Sequence, residues 1–539
     1  MTLAPRFLVN FWAGYRVARF VRRLRALGRG LEAQQAAFAK LMAQCAGTEF
    51  GRGHGLTADT TYARFREAVP PRAYDYFKPL VDRMAAGEAD VLVPGRCPFF
   101  VETAGSTGDA PKLLPVPEAQ LAHFRHGLRD ALFLYAAKAG HTGVFLGPHV
   151  HIGASTAVTE ENGAYRTSLD GILTLCLTPW VEANLRAPPS AVSQLPEGAE
   201  KIEATAQAML HRDVTLIGGT PALVCALALA VGEAAGTGKQ RMTHLQTVWP
   251  NLECGLFTGA PLGLFGEALR ASLGSTVNFH EVYAAAEGIF AAQDESKGPG
   301  LRVLTDAGVF FEFLPLADFT EAVLPRAGAK CLPLDKVRSG VDYVLLVTTP
   351  AGLCRYAPGD IVRFVSLDPP RLHFAGRTAL QLNALGERVT ERDVLETLQA
   401  VCARNGWQAV SFHVAPYHRR IAAGQNINCH EWWLELRTHT MMKTPTANVL
   451  GPEFDAELAH RNRDYAAKRA DGSLDVPSVR LVMPGVFEQW AAEQHKTASA
   501  SKMPRCRSDR LIADQLAALA RFHQASVPPY APGGSTPPG

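Results

Sequence analysis

Thr103-Ala-Gly-Ser-Thr-Gly-Asp-Ala-Pro-Lys112 contains no bulky side chain, ends in a lysine and follows the apolar run 97–101. A small-residue loop after a strand lets backbone N–H groups approach phosphate oxygens. The hydroxyls of Ser106 and Thr107 add donors and Lys112 adds charge. It is not a Walker loop, because Lys112 lies four residues beyond Gly108 instead of following a glycine directly. Read alone, the same composition also describes a surface turn.

Working outward, two further motifs follow in order. Tyr283-Ala-Ala-Ala-Glu287-Gly288 comes after the strand-like run 276–282, with Phe257-Thr-Gly-Ala-Pro261 upstream. A tyrosine at a strand end can stack on a purine, and a carboxylate four residues later can hold Mg²⁺ against phosphates. Tyr356-Ala-Pro-Gly-Asp360 forms a turn between strand-like segments, where a carboxylate can accept two hydrogen bonds from a ribose diol. Separately these are a helix start with an exposed glutamate and a turn aspartate. Together they point to a nucleotide site.

The surrounding pattern predicts an α/β chain. Helical spacing runs through 31–45 and 120–139, and short β-branched or aromatic runs at 309–314, 342–349 and 361–367 predict strands. The apolar stretch 214–231 approaches bilayer length, but Gly218, Gly219 and Pro221 predict a strand, a turn and a core helix instead. From Leu372 a short strand, Gly376-Arg377 and a capping box of Thr390 and Asp393 mark a domain boundary at Gly376. A smaller domain then runs through a strand at 432–437 to a last helix near 511–522, and the tail 525–539 is too rich in Pro and Gly to pack.

The 539 residues are 47% hydrophobic and 19% charged with a net charge of +3, so no electrostatic case for nucleic acid arises. Ten scattered cysteines without a C-x-x-C spacing read as reduced thiols in a cytosol. The first thirty residues hold seven arginines and no acid, interleaved with Phe7, Phe11, Trp12, Tyr15 and Phe20. Asn10, Gly14 and Arg16 break the apolar run that a secretory signal needs. A docked helix is the reading taken, with an organelle presequence or membrane-surface helix as the alternative. His149 and His151 share a strand face, yet no third ligand is visible nearby for a metal, and they are read as core or substrate-lining residues.

From about Leu41 to about Leu516 the chain resembles the Gretchen Hagen family of acyl acid amido synthetases, within the adenylate-forming superfamily. The residues that carry the resemblance are Thr48-Glu-Phe-Gly51, His54-Gly55, Val69-Pro70, Tyr74, Gly87-Glu88 and the 103–112 loop. Further on stand Trp249-Pro-Asn-Leu252, Glu281-Val-Tyr283, Glu287-Gly288, Phe311-Glu-Phe313, the 356–360 turn and Lys502-Met-Pro-Arg505. The resemblance implies a large N-terminal adenylate-forming domain of mixed sheets and helices (1–376). A smaller α+β domain (377–524) would rotate about a hinge. It implies ATP and Mg²⁺, a small carboxylic acid and an amino acid as substrates, and a cytoplasmic setting without a membrane span. Gly105, Ser106, Thr107 and Gly108 would cradle phosphate, Gly259 and Ala260 would edge the adenine, and Tyr283 would flank it. Ala286 falls at a nucleotide-contacting position, Glu287 would hold Mg²⁺ and Asp360 would bind ribose. Arg377 matches a basic hinge residue, and Lys502 a lysine favouring attack at the α-phosphate.

The sequence departs from the family where Ala104, Ala285 and Ala286 stand for hydroxyl residues and Ala357 for a basic one. Each lost donor typically costs about 0.5–1.5 kcal/mol, so slower turnover is the expected effect. Two alternatives follow: an acyl-CoA ligase sharing the adenylate step, or a degenerate nucleotide-binding protein.

Overall fold

Strands with apolar side chains on both faces need cover on both sides, and this chain supplies it with a sheet between helices. The computed structural model describes residues 5–103, 112–236, 244–259, 262, 266–295, 300–420, 426–437, 447–493 and 503–523. It divides into two units, Met1–Ala379 and Leu380–Gly539.

Among the described residues of the first unit, twelve strands join in one sheet. Its two halves obey different rules. Asn278–Ala285, Cys254–Phe257, Leu216–Gly219, His149–Ile152 and Arg186–Ala187 are neighbours in that order and all parallel. Helices Ala199–Met209, Pro221–Ala234 and Gly266–Leu273 supply side chains to the core on one face, with Ile217, Leu227, Trp249 and Leu269 buried at its centre. On the other side of Asn278–Ala285 the pairing turns antiparallel through Gly288–Ala292, Leu301–Val303, Pro370–Arg377, Asp360–Leu367, Asp342–Thr348, Phe310–Pro315 and Leu332–Pro333. Asn278–Ala285 is therefore the strand at which the sheet changes character. In open α/β sheets, ligands bind beyond the C-terminal strand ends at such a switch.

The helix Glu118–Ala139 crosses the junction. Glu118 in its first turn and Lys138 in its last suit the helix dipole, and Gly140 closes it in the left-handed region at φ +77°. Gly127 lets it approach closely, since a Cβ there would meet Ile289 Cβ at 2.7 Å. A separate four-stranded sheet, ordered Leu113–Val116, Phe99–Glu102, Ala164–Thr167 and Thr159–Glu161, carries both ends of the 103–112 loop.

The stretch 214–231 forms the strand Leu216–Gly219, a turn and the helix Pro221–Ala234, and no described helix is long and apolar enough to cross a membrane. The N-terminal helix Arg6–Leu27 docks through Ala13, Val17 and Phe20. Its outer face keeps Phe7, Leu8, Phe11, Trp12 and Tyr15 exposed.

In the second unit, Gln408–Arg420 pairs antiparallel with Asn426–Arg437, which pairs parallel with Ser478–Leu481. Adjacent Trp432 and Trp433 point to opposite faces, as strand alternation demands. Trp432 stacks on Phe454 at 4.4 Å, and Trp433 joins Val486, Phe487, Trp490 and Leu516. The helix Glu391–Asn405 opens with both hydrogen bonds of the Thr390–Asp393 capping box and ends at Gly406. The tail 525–539 lies outside the described residues.

Candidate active site

Three chain segments separated by at least 68 residues meet at the end of the junction strand. The first is the base of the small-residue loop. Glu102 pairs with Leu113, Thr103 N–H donates to Lys112 O at 2.9 Å, and Lys112 N–H donates to Thr103 Oγ1 at 3.2 Å. Tyr74 Oη bridges Leu113 O and Leu113 N, each at 2.9 Å, so the loop leaves and rejoins the sheet at a closed neck. Lys112 Nζ lies 5.5 Å from the Tyr74 ring centroid, and its charge acts on Glu287.

The second segment is the hairpin between Asn278–Ala285 and Gly288–Ala292. Ala285 pairs with Gly288, so Ala286 and Glu287 are the two turn residues. The helix Glu118–Ala139 holds this turn from the side. Gln120 Nε2 donates to Glu287 O at 2.9 Å, and His123 Nε2 accepts Ile289 N–H at 3.0 Å while Nδ1 donates to Ala307 O at 2.8 Å. Burial pushes the His123 pKa down to about 4, which keeps the imidazole in the neutral form these two bonds require. A Cβ on Gly288 would fall 2.5 Å from His123 Nε2, so this glycine is needed for the clamp.

The third segment brings Tyr356 and Asp360. Tyr356 donates to Glu287 Oε1 at 3.1 Å, and Tyr283 donates to Asp360 Oδ2. Asp360 pairs in register with Arg377 on the next strand, with Oδ1 3.4 Å from Arg377 Nε. Asp360 Oδ1 is fully buried yet accepts no hydrogen bond of good geometry. Burial and then the neighbouring charge of Asp360 raise the Glu287 pKa, opposed by Lys112 and Tyr356. Two carboxylates thus share a low-dielectric cleft with acceptor capacity to spare, an arrangement suited to a cation and a polyhydroxyl ligand.

The sequence-predicted residues Lys112, Tyr283, Ala286, Glu287, Asp360 and Arg377 are brought together here. Tyr283 is 8% exposed, with its ring against Phe290 at 5.3 Å and Phe374 at 5.6 Å, so its evident work is to hold Asp360. Gly259, at φ +75°, ends the neighbouring parallel strand Cys254–Phe257. Gly105, Ser106, Thr107, Gly108, Ala260 and Lys502 lie outside the described residues. Arg505, which follows Lys502 in its motif, is described: it donates to Ser411 Oγ at 3.3 Å, and burial pushes its pKa down to about 10. Sequence reasoning missed Gln120 and His123. Their only local signal was a polar residue and a histidine on the buried face of an otherwise apolar helix.

Each histidine of His149-x-His151 has a partner within the protein. His149 bonds to Val144 O at 2.8 Å and His151 to Asp170 at 3.0 Å. Among the described residues, one group, His126, Asp130 and Asp306, has metal-ligand spacing, and Arg23 and Arg129 already neutralise it.

Known proteins resemble this chain in sequence and in fold. Residues 25–277 match the GH3 family N-terminal domain, 302–377 its central domain and 392–511 its C-terminal domain. An indole-3-acetic acid-amido synthetase of Oryza sativa subsp. indica is 29% identical over 36% of this chain and 33% of its own length. The first curated relatives matched are thus covered over only about a third of their length. A jasmonoyl-L-amino acid synthetase of Nicotiana attenuata is 22% identical over 85% of this chain and 87% of its own. The solved structure of GH3.15 acyl acid amido synthetase superposes with a TM-score of 0.69 at 18% identity, covering 93% of this chain and 95% of that one. A 2-hydroxyisobutyryl-CoA ligase reaches 0.51 at 15% identity, over 90% of each chain, so the fold is that of adenylate-forming enzymes. With all three domains matched in order along one chain, this protein belongs to the GH3 family.

Proposed function

We propose that the chain is an ATP-dependent acyl acid amido synthetase, which makes an acyl-adenylate from a carboxylic acid and passes the acyl group to an amino acid. The observation that carries this reading is the pair of under-compensated carboxylates, Glu287 and Asp360, at the sheet's switch strand beside the neck of a phosphate-cradling loop. Glu287 would hold Mg²⁺, whose chemistry is to neutralise charge on the polyphosphate; an oxygen ligand with a raised pKa fits that ion. Asp360, fixed by Tyr283 through Oδ2 and ion-paired with Arg377 through Oδ1, would accept the ribose hydroxyls. Gly105, Ser106, Thr107 and Gly108, with Lys112, would orient the phosphates, and Gly259 and Ala260 would border the adenine.

In the first step a carboxylate oxygen attacks the α-phosphorus and the bond to pyrophosphate breaks. In the second an amine attacks the carbonyl carbon, AMP leaves with the electron pair of the anhydride, and the amine proton goes to water. The protein's share is alignment and charge neutralisation, with Lys502 favouring the first step and its unit then turning about a hinge near Arg377 for the second. The unit boundaries, the hinge and a cytoplasmic setting belong to this proposal; ten free cysteines support the last.

The alanines at 285 and 286 favour one rival, a nucleotide-binding protein without turnover. Pyrophosphate release from MgATP, run across aryl and aliphatic acids with amino acids or coenzyme A, decides. Amide without thioester supports the proposal, thioester points to an acyl-CoA ligase, and ATP binding without release under any acid sinks both.

A further inference from the structure

On the same sheet, away from the loop, a second polar device is built around His151. Its Nε2 lies 3.0 Å from Asp170 Oδ1, and Asp170 Oδ2 accepts Ala154 N–H at 2.7 Å. Two glycines make room for it. A Cβ on Gly153 would fall 2.3 Å from Asp170 Oδ2, and one on Gly218 would sit 3.1 Å from His151 Nδ1. Lys201, 2% exposed, supports the turn by donating to Ala154 O at 2.9 Å and Ser193 O at 2.8 Å. Despite this support the His151 side chain is 41% exposed. With Nε2 engaged by Asp170, the ring nitrogen left for a ligand is Nδ1, which lies over the side-chain-free Gly218.

Sheet register places the device. His151, Gly218, Leu256 and His280 stand side by side on four adjacent parallel strands and so share one face. At about 4.8 Å per strand, His151 lies roughly 14 Å across the sheet from the strand that carries Tyr283. Leu256 and Gly218, which adds no side chain, stand between them in register, and Leu169, Leu173, Leu256 and Ala284 are partly buried apolar residues packed against the core cluster that includes Tyr283. We infer that His151, oriented by Asp170, is a specificity residue that binds an oxygen function at the far end of the acyl acid, so that the substrate class is a hydroxy- or dicarboxylic acid. This rests on the proposed adenylating activity.

The test uses matched acids with and without a terminal hydroxyl or carboxylate, in full-length protein. Pyrophosphate release should show kcat/KM about tenfold higher for the oxygenated member. His151→Leu should abolish that preference while changing the plain acid less than about threefold, and Asp170→Asn should weaken it with KM for ATP unmoved. An unselective wild type, or His151→Leu lowering both acids equally, overturns the inference. Calorimetric binding of the same acids gives an independent reading. If no acid supports release, the proposed activity fails, yet loss of oxygenated-acid binding in His151→Leu still upholds the subsite and its retention refutes it.

A different observation concerns the helix Arg6–Leu27, which contains six arginines and no acid. Phe7, Leu8, Phe11, Trp12 and Tyr15 are 69%, 49%, 77%, 52% and 53% exposed on its first half. Arg19, Arg22 and Arg25 are exposed on its second, with no carboxylate within salt-bridge distance among the described residues. Interfacial helices combine an aromatic face with arginines that meet lipid phosphates. We propose that this face docks on an anionic lipid surface, the charge complement its composition selects. Full-length protein should sediment with vesicles containing phosphatidylglycerol but not with pure phosphatidylcholine, less at high salt. Phe7→Ser with Phe11→Ser, and separately Arg19→Gln with Arg22→Gln, should each release it. Failure to sediment, insensitivity to both variants, or lipid-independent dimerisation through the same residues overturns the proposal.

Discussion

Two buried acidic centres lie within one sheet, and they are compensated in opposite ways. Glu312 is 1% exposed and meets Arg355 in a two-pronged pair at 2.9 Å for each contact, with Tyr62 donating a third hydrogen bond at 2.9 Å. The other guanidinium donors reach Arg66 O, Val69 O and Gly328 O, so the centre is saturated. Glu287 receives one tyrosine hydroxyl, and Asp360 keeps a buried oxygen without a hydrogen bond. A saturated carboxylate holds the fold together; an unsaturated one at a strand end is held ready for a ligand. Both sit inside strings that carry the family resemblance, so only compensation tells scaffold from site.

The largest effect expected from this contrast is on stability. Arg355→Met leaves Glu312 buried and uncompensated, and the urea midpoint should report a loss of about 3–5 kcal/mol; a loss under about 1 kcal/mol would erase the distinction drawn between the two centres. Glu287→Gln should do the reverse. Pyrophosphate release should fall about a hundredfold, or about 2.7 kcal/mol. Thermal stability should hold or rise, because a carboxylate with a raised folded pKa destabilises the fold wherever it is ionised. A large drop in stability would place Glu287 with the scaffold.

The clamp histidine gives a pH signature. The His123 pKa is about 4 when folded against 6.5 for an unperturbed histidine, so between those values the unfolded chain binds the extra proton. Stability therefore falls with acidification across that window, by up to about 1.4 kcal/mol per pH unit for this group. His123→Gln should flatten the slope of urea midpoint against pH; an unchanged slope would assign the acid lability to the other buried histidines, His149, His280 and His413. The smallest effect is a gain. Ala286→Ser adds one donor at the proposed nucleotide site and should raise kcat/KM by about 0.5–1.5 kcal/mol, a few-fold. No change would mean that position 286 makes no ligand contact.

Local signals carried much of the fold. The capping box at Thr390, the strands at 310–315, 342–348 and 360–367, and the helix ending at Gly140 are all set by neighbours in sequence. The motif residues Glu287 and Asp360 were legible for the same reason, since chemistry and spacing lie within a few positions. What could not be read was pairing over distance. Nothing near Asn278–Ala285 announces that it runs parallel to one neighbour and antiparallel to the other. His123 reaches Ile289 across 166 positions and Arg355 reaches Glu312 across 43, contacts that exist only once the sheet has formed.

The tight turn at Ala286-Glu287 has a consequence for how this protein can change. With Ala285 paired to Gly288, a two-residue turn joins the strands, and their register already shifts once, between Ile289 and Ala291. One added residue would turn every following side chain of Gly288–Ala292 to the opposite face and part Ile289 from His123. Substitution at Ala286 keeps the length of the turn, whereas Ala284 and Ala285 are paired strand residues packed against the core. The length of the turn is thus closed while its composition at 286 is open to selection, so libraries that randomise this position without indels are where new acid or nucleotide preferences should be sought.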